Sequence, residues 1–347
     1  MAYKIFIDGQ AGTTGLRLAG RLKARPDVEL LEIGGALRKD IETRLACIAE
    51  ADVSFLCLPD EGAREIARLA GGRARLIDAS SAHRTAAGWA YGLPEIAGAG
   101  ADMGAGALRV ANPGCHATGF ILSVRPLIDA GLLRADAALG AHSLTGYSGG
   151  GKPMVAEYEA PGRAGGAGDA SSCETGSPSS RIRGRGAGGV PGDGLRAPRQ
   201  YALAQAHKHL PEMQKYAGLA TAPIFAPIVC DFYSGMLVGV PIPKSALAKP
   251  ATIGDVRETL AGRYGGRPLV KVRELGAEFA EAAGSGFLAA DAFANRDDLE
   301  IFVTGKDDRI EIVARYDNLG KGASGAAIQN MNRMLGLPEE TGLVLGE

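Results

Sequence analysis

Short apolar runs, each closed by glycine, proline or a polar cluster, alternate with helix-period stretches through the first third of the chain. Tyr3 to Asp8 is such a run, after which Leu16, Leu18, Ala19 and Leu22 recur at helical spacing. Val28 to Ile33, Asp52 to Leu58, Arg75 to Asp78 and Leu108 to Ala111 read as four further strands. Strands alternating with helices predict an α/β fold on a parallel sheet with right-handed crossovers. The pattern changes beyond a helix that begins near Ala117. Ala137 to Thr145 reads as a longer strand, and Pro223 to Cys230 and Gly235 to Ile242 are apolar strands with no helix between them, an antiparallel pattern. A helix over Ile253 to Tyr264 is introduced by Thr252 as N-cap. Leu269 to Val272, Leu299 to Thr304 and Ile310 to Tyr316 add strands, the last two as a hairpin, and a helix runs from Ala326 to about Leu335.

These elements divide the chain into a parallel-sheet domain over 1–115, an α+β domain with a mixed or antiparallel sheet over 116–316, and a C-terminal helix over 317–347 that returns to the first domain. Between about 161 and 199 periodicity is lost to Gly, Arg, Ser and Pro, which reads as a low-complexity, disordered insertion. A net charge of −1 over 347 residues argues against nucleic acid or a membrane surface as partner, and no apolar run reaches spanning length. Five cysteines without paired spacing suit a reduced, cytoplasmic protein with no metal-type cluster. Cys57 and Cys230 read as core, and Cys173 falls in the low-complexity stretch.

Three places carry chemistry. The first is Gly9-Gln10-Ala11-Gly12-Thr13-Thr14-Gly15, between the first strand and the first helix. A strand, a glycine turn and a helix N-terminus in that order seat a pyrophosphate, so Gly9, Gly12, Thr13, Thr14 and Gly15 predict a Rossmann-type dinucleotide site. The residues past the second strand choose the cofactor: Glu32 favours NAD through the ribose hydroxyls, whereas Arg38 and Lys39 would grip the extra phosphate of NADP. The basic pair leads us to expect NADP. Ser80 and Ser81, at the end of the fourth strand, face the crevice where such sheets bind ligands.

The second is Asn112-Pro113-Gly114-Cys115-His116. It places a thiol at a helix N-terminus, where the dipole favours the nucleophilic thiolate. The third is His207-Lys208-His209-Leu210-Pro211-Glu212, a polar knot suited to acid–base work near neutral pH. Two glycine loops complete the set. Ser148 and Lys152, in a flexible loop from Gly146 to Pro153, suit a phosphate or carboxylate. Asn318, Lys321 and Gly322, before the last helix, are expected to complete the nicotinamide site.

In combination, Gly12-Thr13-Thr14-Gly15, Ala111-Asn112-Pro113-Gly114-Cys115, His207-Lys208-His209-Leu210-Pro211-Glu212 and Gly320-Lys321-Gly322-Ala323-Ser324-Gly325 resemble the N-acetyl-gamma-glutamyl-phosphate reductases. The likeness is closest to their shorter, type 2 branch, in the superfamily of aspartate-semialdehyde dehydrogenase. The chain departs from that branch in the length of the 161–199 stretch. The resemblance implies NADP, arginine biosynthesis, a cytoplasmic location, a small acyl-phosphate substrate and a homodimer or homotetramer. It further implies attack by Cys115, with His209 as acid–base, His207 as a contact to the substrate's anionic groups and competitor for the acid–base role, and Glu212 as orienter. Asn112 would help bind an oxyanion, and Lys152 the phosphate. The rival readings are another Cys-dependent acyl-phosphate reductase and a non-catalytic NADP-binding sensor; the latter needs neither Cys115 nor the histidines.

Overall fold

The computed structural model describes residues 2–96, 107–160, 195–284 and 286–346. Its first sheet comprises β1 (Tyr3–Asp8), β2 (Val28–Leu31), β3 (Val53–Leu56), β4 (Leu76–Asp78), β5 (Ala90–Tyr91) and β6 (Arg109–Ala111). All pairings are parallel, in the order β2-β1-β3-β4-β6-β5. The two-residue edge strand β5 is too short for any hydrophobic period to announce it. Helices α1 (Thr13–Lys23), α2 (Ile41–Glu50) and α3 (Asp60–Leu69) make the crossovers. Ile5, Ile7, Phe55 and Val110 pack with Leu18 and Leu22 on one face, while Phe6, Leu56 and Leu76 pack with Ile48 and Ile66 on the other. Sequestering both faces explains why these strands read as continuous apolar runs.

Helix α4 (Cys115–Asp129) leads into a second, mixed sheet made of β7 (Gly140–Gly146), β8 (Arg199–Gln200), β9 (Ile224–Cys230), β10 (Met236–Pro243), β11 (Val270–Val272), β12 (Leu299–Lys306) and β13 (Arg309–Tyr316), ordered β11-β12-β13-β10-β7-β9-β8. The antiparallel pattern of β9 and β10 does not make them a pair. Both flank β7, β9 parallel to it and β10 antiparallel. The 146–153 stretch is not a flexible loop either: a tight turn over Tyr147–Gly150 runs into α5 (Gly151–Tyr158).

Three helices cover one face of the second sheet: α4, α6 (Leu210–Ala217) and α7 (Ile253–Tyr264). Phe120, Met213, Tyr216 and Leu260 are buried there with Val238, Val240 and Ile312. Thr252 and Asp255 form a reciprocal capping box at the start of α7, as the N-cap reading anticipates. A single π-type turn, Gly320–Ser324, opens α8 (Gly325–Leu335), whose Ile328, Met331 and Met334 pack against Ile5 and Ile7 of the first sheet.

The low-complexity stretch, with Cys173, lies outside the described residues as far as 194. Beyond it order returns earlier than expected, because Leu195 is buried with Tyr147, Tyr158 and Val229. Helix α1 is also tied to the C-terminal segment by charge. Its Arg17 and Arg21, with Arg25 just beyond its end, lie one turn apart and reach Asp317, Asp297 and Asn332, joining the glycine-loop helix to the turn before α8, to the approach to β12 and to α8 itself.

Candidate active site

Cys115 is the first residue of α4, with Gly114 as N-cap and β6 ending only four residues earlier at Ala111. The thiol therefore lies at the end of the parallel sheet and at a helix N-terminus, over a cavity of about 250 Å³. That cavity is lined also by Arg84, Ser148, Tyr201, His207, Lys208 and His209. Burial raises the Cys115 pKa, while Arg84, the His116 N–H and Lys208 pull it down. The pKa stays above its ordinary value, so the resting group is the thiol, and a base must accept its proton.

The buried imidazoles beside the thiol are those of His116 and His209, and His209 is the one whose ring keeps a nitrogen without a hydrogen-bond partner. Burial, followed by the charge of Arg84, holds its pKa well below the usual value, so the ring is neutral. A His209 ring nitrogen and Cys115 Sγ lie within 4.8 Å of each other. His207 lines the same cavity, accepts a hydrogen bond from the His209 N–H at Nδ1 (3.2 Å), and is lowered to about 4, again chiefly by burial. A neutral His207 brings no positive charge to a substrate anion. Lys208 stands exposed between the two histidines and lines the same cavity.

Glu212 is not placed to orient His209, because its Oε1 stands 3.9 Å from Nε2, beyond hydrogen-bond reach. Its oxygens instead accept from Arg84 Nη1 (2.8 Å), the Tyr91 hydroxyl (2.7 Å) and the Gly114 N–H (3.1 Å). Glu212 thus anchors both Arg84 and the turn that carries Cys115. A side chain at Gly114 would overlap His209 and Glu212, so glycine there lets the turn approach the histidine strap.

Other expected residues divide between this cavity and its neighbours. Asn112 lines it, but its amide donates to the Ala323 carbonyl (3.0 Å) and its carbonyl accepts from Asn330, so its role is joining loops. Ser148 and Asn318 line it together, the Asn318 amide donating to Ser148 Oγ at 3.0 Å, and Gly322 packs against Cys115. Lys321 does not reach a cofactor. It is fully buried, paired at 2.6 Å with both Glu95 and Gln329, and lines none of the cavities described here. Lys152 also departs from expectation: it lines an adjoining cavity with Gly12, Thr14, Gly15, Ser80 and Ser81, not the one holding Cys115. Lys208 lines both.

That adjoining cavity has the form of a pyrophosphate seat. Gly9 sits at φ +83°, and a side chain there would overlap the Cys57 carbonyl. A Cβ on Gly12, by contrast, would meet no atom nearer than 3.5 Å, leaving backbone accessible to a ligand. The first turn of α1 carries no acidic residue to repel phosphate. Thr13 opens this helix, though its side chain is outside the described ones. Ser80 caps Asp78, and Ser81 bonds Asp60 through both its N–H and hydroxyl, so the two serines shape the cavity wall.

Arg38 and Lys39 line a third cavity with Asp8, Leu31 and Arg44, and Arg44 is held there by Asp8 at 2.7 Å. Glu32 lies elsewhere, paired with Lys23 at the surface. Sequence reasoning missed Arg84, Arg44, His116 and Tyr201. His116 stood in plain view beside Cys115, but no local pattern marked the other three.

Cys115, His116 and His209 place one potential metal-ligand atom each within 4.8 Å of one another. Both His116 ring nitrogens are already engaged, by Ser143 Oγ and Tyr201 OH at 2.7 Å each, which leaves two ligands and no site for a structural metal.

Comparison with known proteins places the chain in a family. Residues 36–102 match the family model described as semialdehyde dehydrogenase, NAD binding domain, and 194–318 the one described as semialdehyde dehydrogenase, dimerisation domain. The chain is 41% identical over 343 residues to N-acetyl-gamma-glutamyl-phosphate reductase 2 of Nostoc sp., covering 98% of this chain and 99% of that one. It is also 41% identical over 340 residues to N-acetyl-gamma-glutamyl-phosphate reductase of Sinorhizobium medicae, covering 96% and 99%. Among solved structures it resembles aspartate semialdehyde dehydrogenase II from Vibrio cholerae complexed with ASA, with a TM-score of 0.63 at 16% identity over 96% of this chain and 98% of that one. A probable aspartate-semialdehyde dehydrogenase from Pseudomonas aeruginosa gives 0.65 at 16% identity over 96% and 99%. At that identity the structural likeness speaks for the fold.

Proposed function

The chain belongs to the N-acetyl-gamma-glutamyl-phosphate reductase family, and from that premise we propose that it reduces N-acetyl-gamma-glutamyl phosphate to the semialdehyde with NADPH, in arginine biosynthesis. The observation that carries the reading is a half-buried thiol at a helix N-terminus, in one cavity with a neutral buried imidazole and two cations, Arg84 and Lys208. His209 accepts the Cys115 proton as sulfur attacks the acyl-phosphate carbon. The tetrahedral oxyanion is met by the Cys115 N–H at the start of α4. Its collapse breaks the carbon–oxygen bond to phosphate and leaves a thioester on Cys115. The imidazolium of His209 returns its proton to the departing phosphate, which Lys208 and Arg84 hold. When bound, NADPH would supply a hydride for the thioester carbon. The resulting hemithioacetal expels the Cys115 thiolate as the aldehyde forms, and Arg84 and Lys208 stabilise that thiolate until it is reprotonated.

For the cofactor, Gly12 and the α1 N-terminus would hold the pyrophosphate, and Arg38, Lys39 and Arg44 the 2′-phosphate. The test runs the reaction backwards, following phosphate-dependent oxidation of the acetylated semialdehyde at the nicotinamide absorbance. Oxidation is expected with NADP and much less with NAD. Arg38→Ala with Lys39→Ala should erode that preference about 10- to 100-fold, given roughly 1.5–3 kcal/mol per charged hydrogen bond. No oxidation of this aldehyde would refute the substrate assignment, and equal use of both cofactors would refute the role of the basic patch.

We infer also that two copies associate through the second sheet, whose face opposite the three helices carries the half-buried Leu144 and Ile228 on β7 and β9, with Ile224 of β9 68% exposed beside them. Sedimentation should give twice or four times the mass of one chain; a single-chain mass at micromolar concentration would rule this out.

A further inference from the structure

Immediately behind Cys115 lies a chain of three polar groups that the reaction above does not use. His116 occupies the first turn of α4 and is buried. Its Nδ1 lies 2.7 Å from Ser143 Oγ on β7, and its Nε2 lies 2.7 Å from the Tyr201 hydroxyl. Tyr201 is on the stretch that leads to His207 and His209, and it lines the Cys115 cavity. Phe225, His207 and His209 crowd the ring at centroid distances of 5.2, 5.7 and 5.4 Å, and among the described residues the full charge acting on it is that of Lys208. Burial, with His207 and Lys208 adding to it, lowers His116 to about 3. The ring is therefore neutral and carries one N–H, on either nitrogen.

The two tautomers differ in what they leave unsatisfied. With the hydrogen on Nδ1, the ring donates to Ser143 Oγ and accepts the Tyr201 hydrogen at Nε2. The Ser143 hydroxyl hydrogen is then buried with nothing to receive it, because Ser143 is fully buried and its hydroxyl has no other hydrogen-bond partner among the described residues. With the hydrogen on Nε2, Ser143 donates to Nδ1 and Nε2–H donates to the Tyr201 oxygen. Every buried hydrogen then has an acceptor, and Tyr201 keeps its own hydrogen for the cavity it lines.

We propose that His116 is a positioning residue: by taking a hydrogen bond from Ser143 and giving one to Tyr201, it fixes the polarity of the relay so that the Tyr201 hydroxyl donates to an oxygen of the bound acyl chain. The stretch after Tyr201 shows why polarity needs fixing from behind. Ala202 and Gln205 hold φ of 54° and 53°, a conformation rarely taken by residues with a side chain. Gln205 clamps this strap by exchanging two hydrogen bonds of 2.8 Å with the Phe225 backbone. The His116–Tyr201 bond is a further tie, beside that of the Tyr201 N–H to the Pro227 carbonyl at 3.0 Å. The proposal rests on the reading of this cavity as the site of acyl chemistry.

Two measurements test it. In the full-length enzyme labelled with ¹⁵N-histidine, with His116 assigned by its loss in His116→Phe, the spectrum should show a bare Nδ1 and a protonated Nε2, unchanged between about pH 5.5 and 8. A protonated Nδ1, or titration in that range, overturns the proposal. In kinetics, Ser143→Ala should lower kcat/KM about tenfold although Ser143 touches no substrate, since the relay then loses its polarity. The same substitution should have no further effect in a Tyr201→Phe background. Additive losses would mean that Ser143 acts on packing alone and would overturn the relay. Should the substrate assignment fail, no variant would alter a turnover that does not occur, yet the tautomer would still be decided by the spectrum.

Discussion

Cys115→Ser is expected to lower acyl-phosphate reduction to the assay background while leaving NADPH affinity within about twofold of the unmodified protein. The substitution removes one kind of atom and almost no volume, and α4 still begins at the same residue. A serine hydroxyl is a far weaker acid than even a buried thiol, and His209, whose affinity for protons is reduced by burial, cannot take its hydrogen at a useful rate. Without a thioester there is no tethered, activated carbonyl to receive the hydride. The residues that would hold the cofactor, Gly12 and the Arg38–Arg44 patch, line other cavities and are untouched. Turnover at saturating substrate and a fluorescence titration with NADPH measure the two halves of the prediction. Intact-protein mass adds a third reading: the unmodified enzyme, given acyl phosphate without cofactor, should gain the mass of one acyl group and the variant should not. Substantial turnover in a pure preparation of the variant would remove the covalent mechanism.

Legibility in the sequence tracks the range of the interactions. Strand, glycine turn and helix around Gly9 to Gly15 are written in consecutive residues, as is the apolar run that stops at Pro113 and hands Cys115 to a helix. Local periodicity and turn chemistry suffice for both. Lys321 shows the opposite case. A lysine in a glycine loop at a helix start reads as a cofactor contact, and only the fold brings Glu95, 226 positions away, to bury and pair it. Arg84 and Glu212 are likewise 128 positions apart, and neither looks like part of a cysteine site until the turn at Gly114 is placed between them. Lys152 lines the cavity beside α1, and not the one that holds Cys115, because the stretch that bears it enters a helix. Lys208, set between two histidines that drew attention to themselves, takes the place between the two cavities. The pairing of β7 between β9 and β10 was hidden for the same reason, since sequence adjacency favours a hairpin and the order of a sheet is decided by packing.

His209→Asn is expected to lower the maximal rate by a factor on the order of 10² to 10⁴, and to change the shape of the pH profile as well as its height. In the unmodified enzyme the working pair is a neutral imidazole and a neutral thiol. Burial holds the His209 pKa well below 6.5, so the base stays available as pH falls through 6.5 and is lost only at distinctly lower pH. The acidic limb should therefore lie below that of an ordinary histidine, with a plateau above it. Asparagine cannot accept the thiol proton. The variant must then rely on the fraction of Cys115 already ionised, and burial sets that pKa above 9.0. Its rate should climb nearly tenfold per pH unit from neutrality to about pH 9, where the unmodified enzyme is flat. His207→Asn loses the Nδ1 that accepts the His209 N–H, so it should loosen the strap and weaken substrate binding more than it alters the plateau. A His209→Asn enzyme with full rate and a flat profile, beside a crippled His207→Asn, would transfer the proton to His207 and leave the sulfur chemistry in place. Should both variants keep a flat profile at reduced height, neither imidazole is the base, and Cys115 must ionise without one.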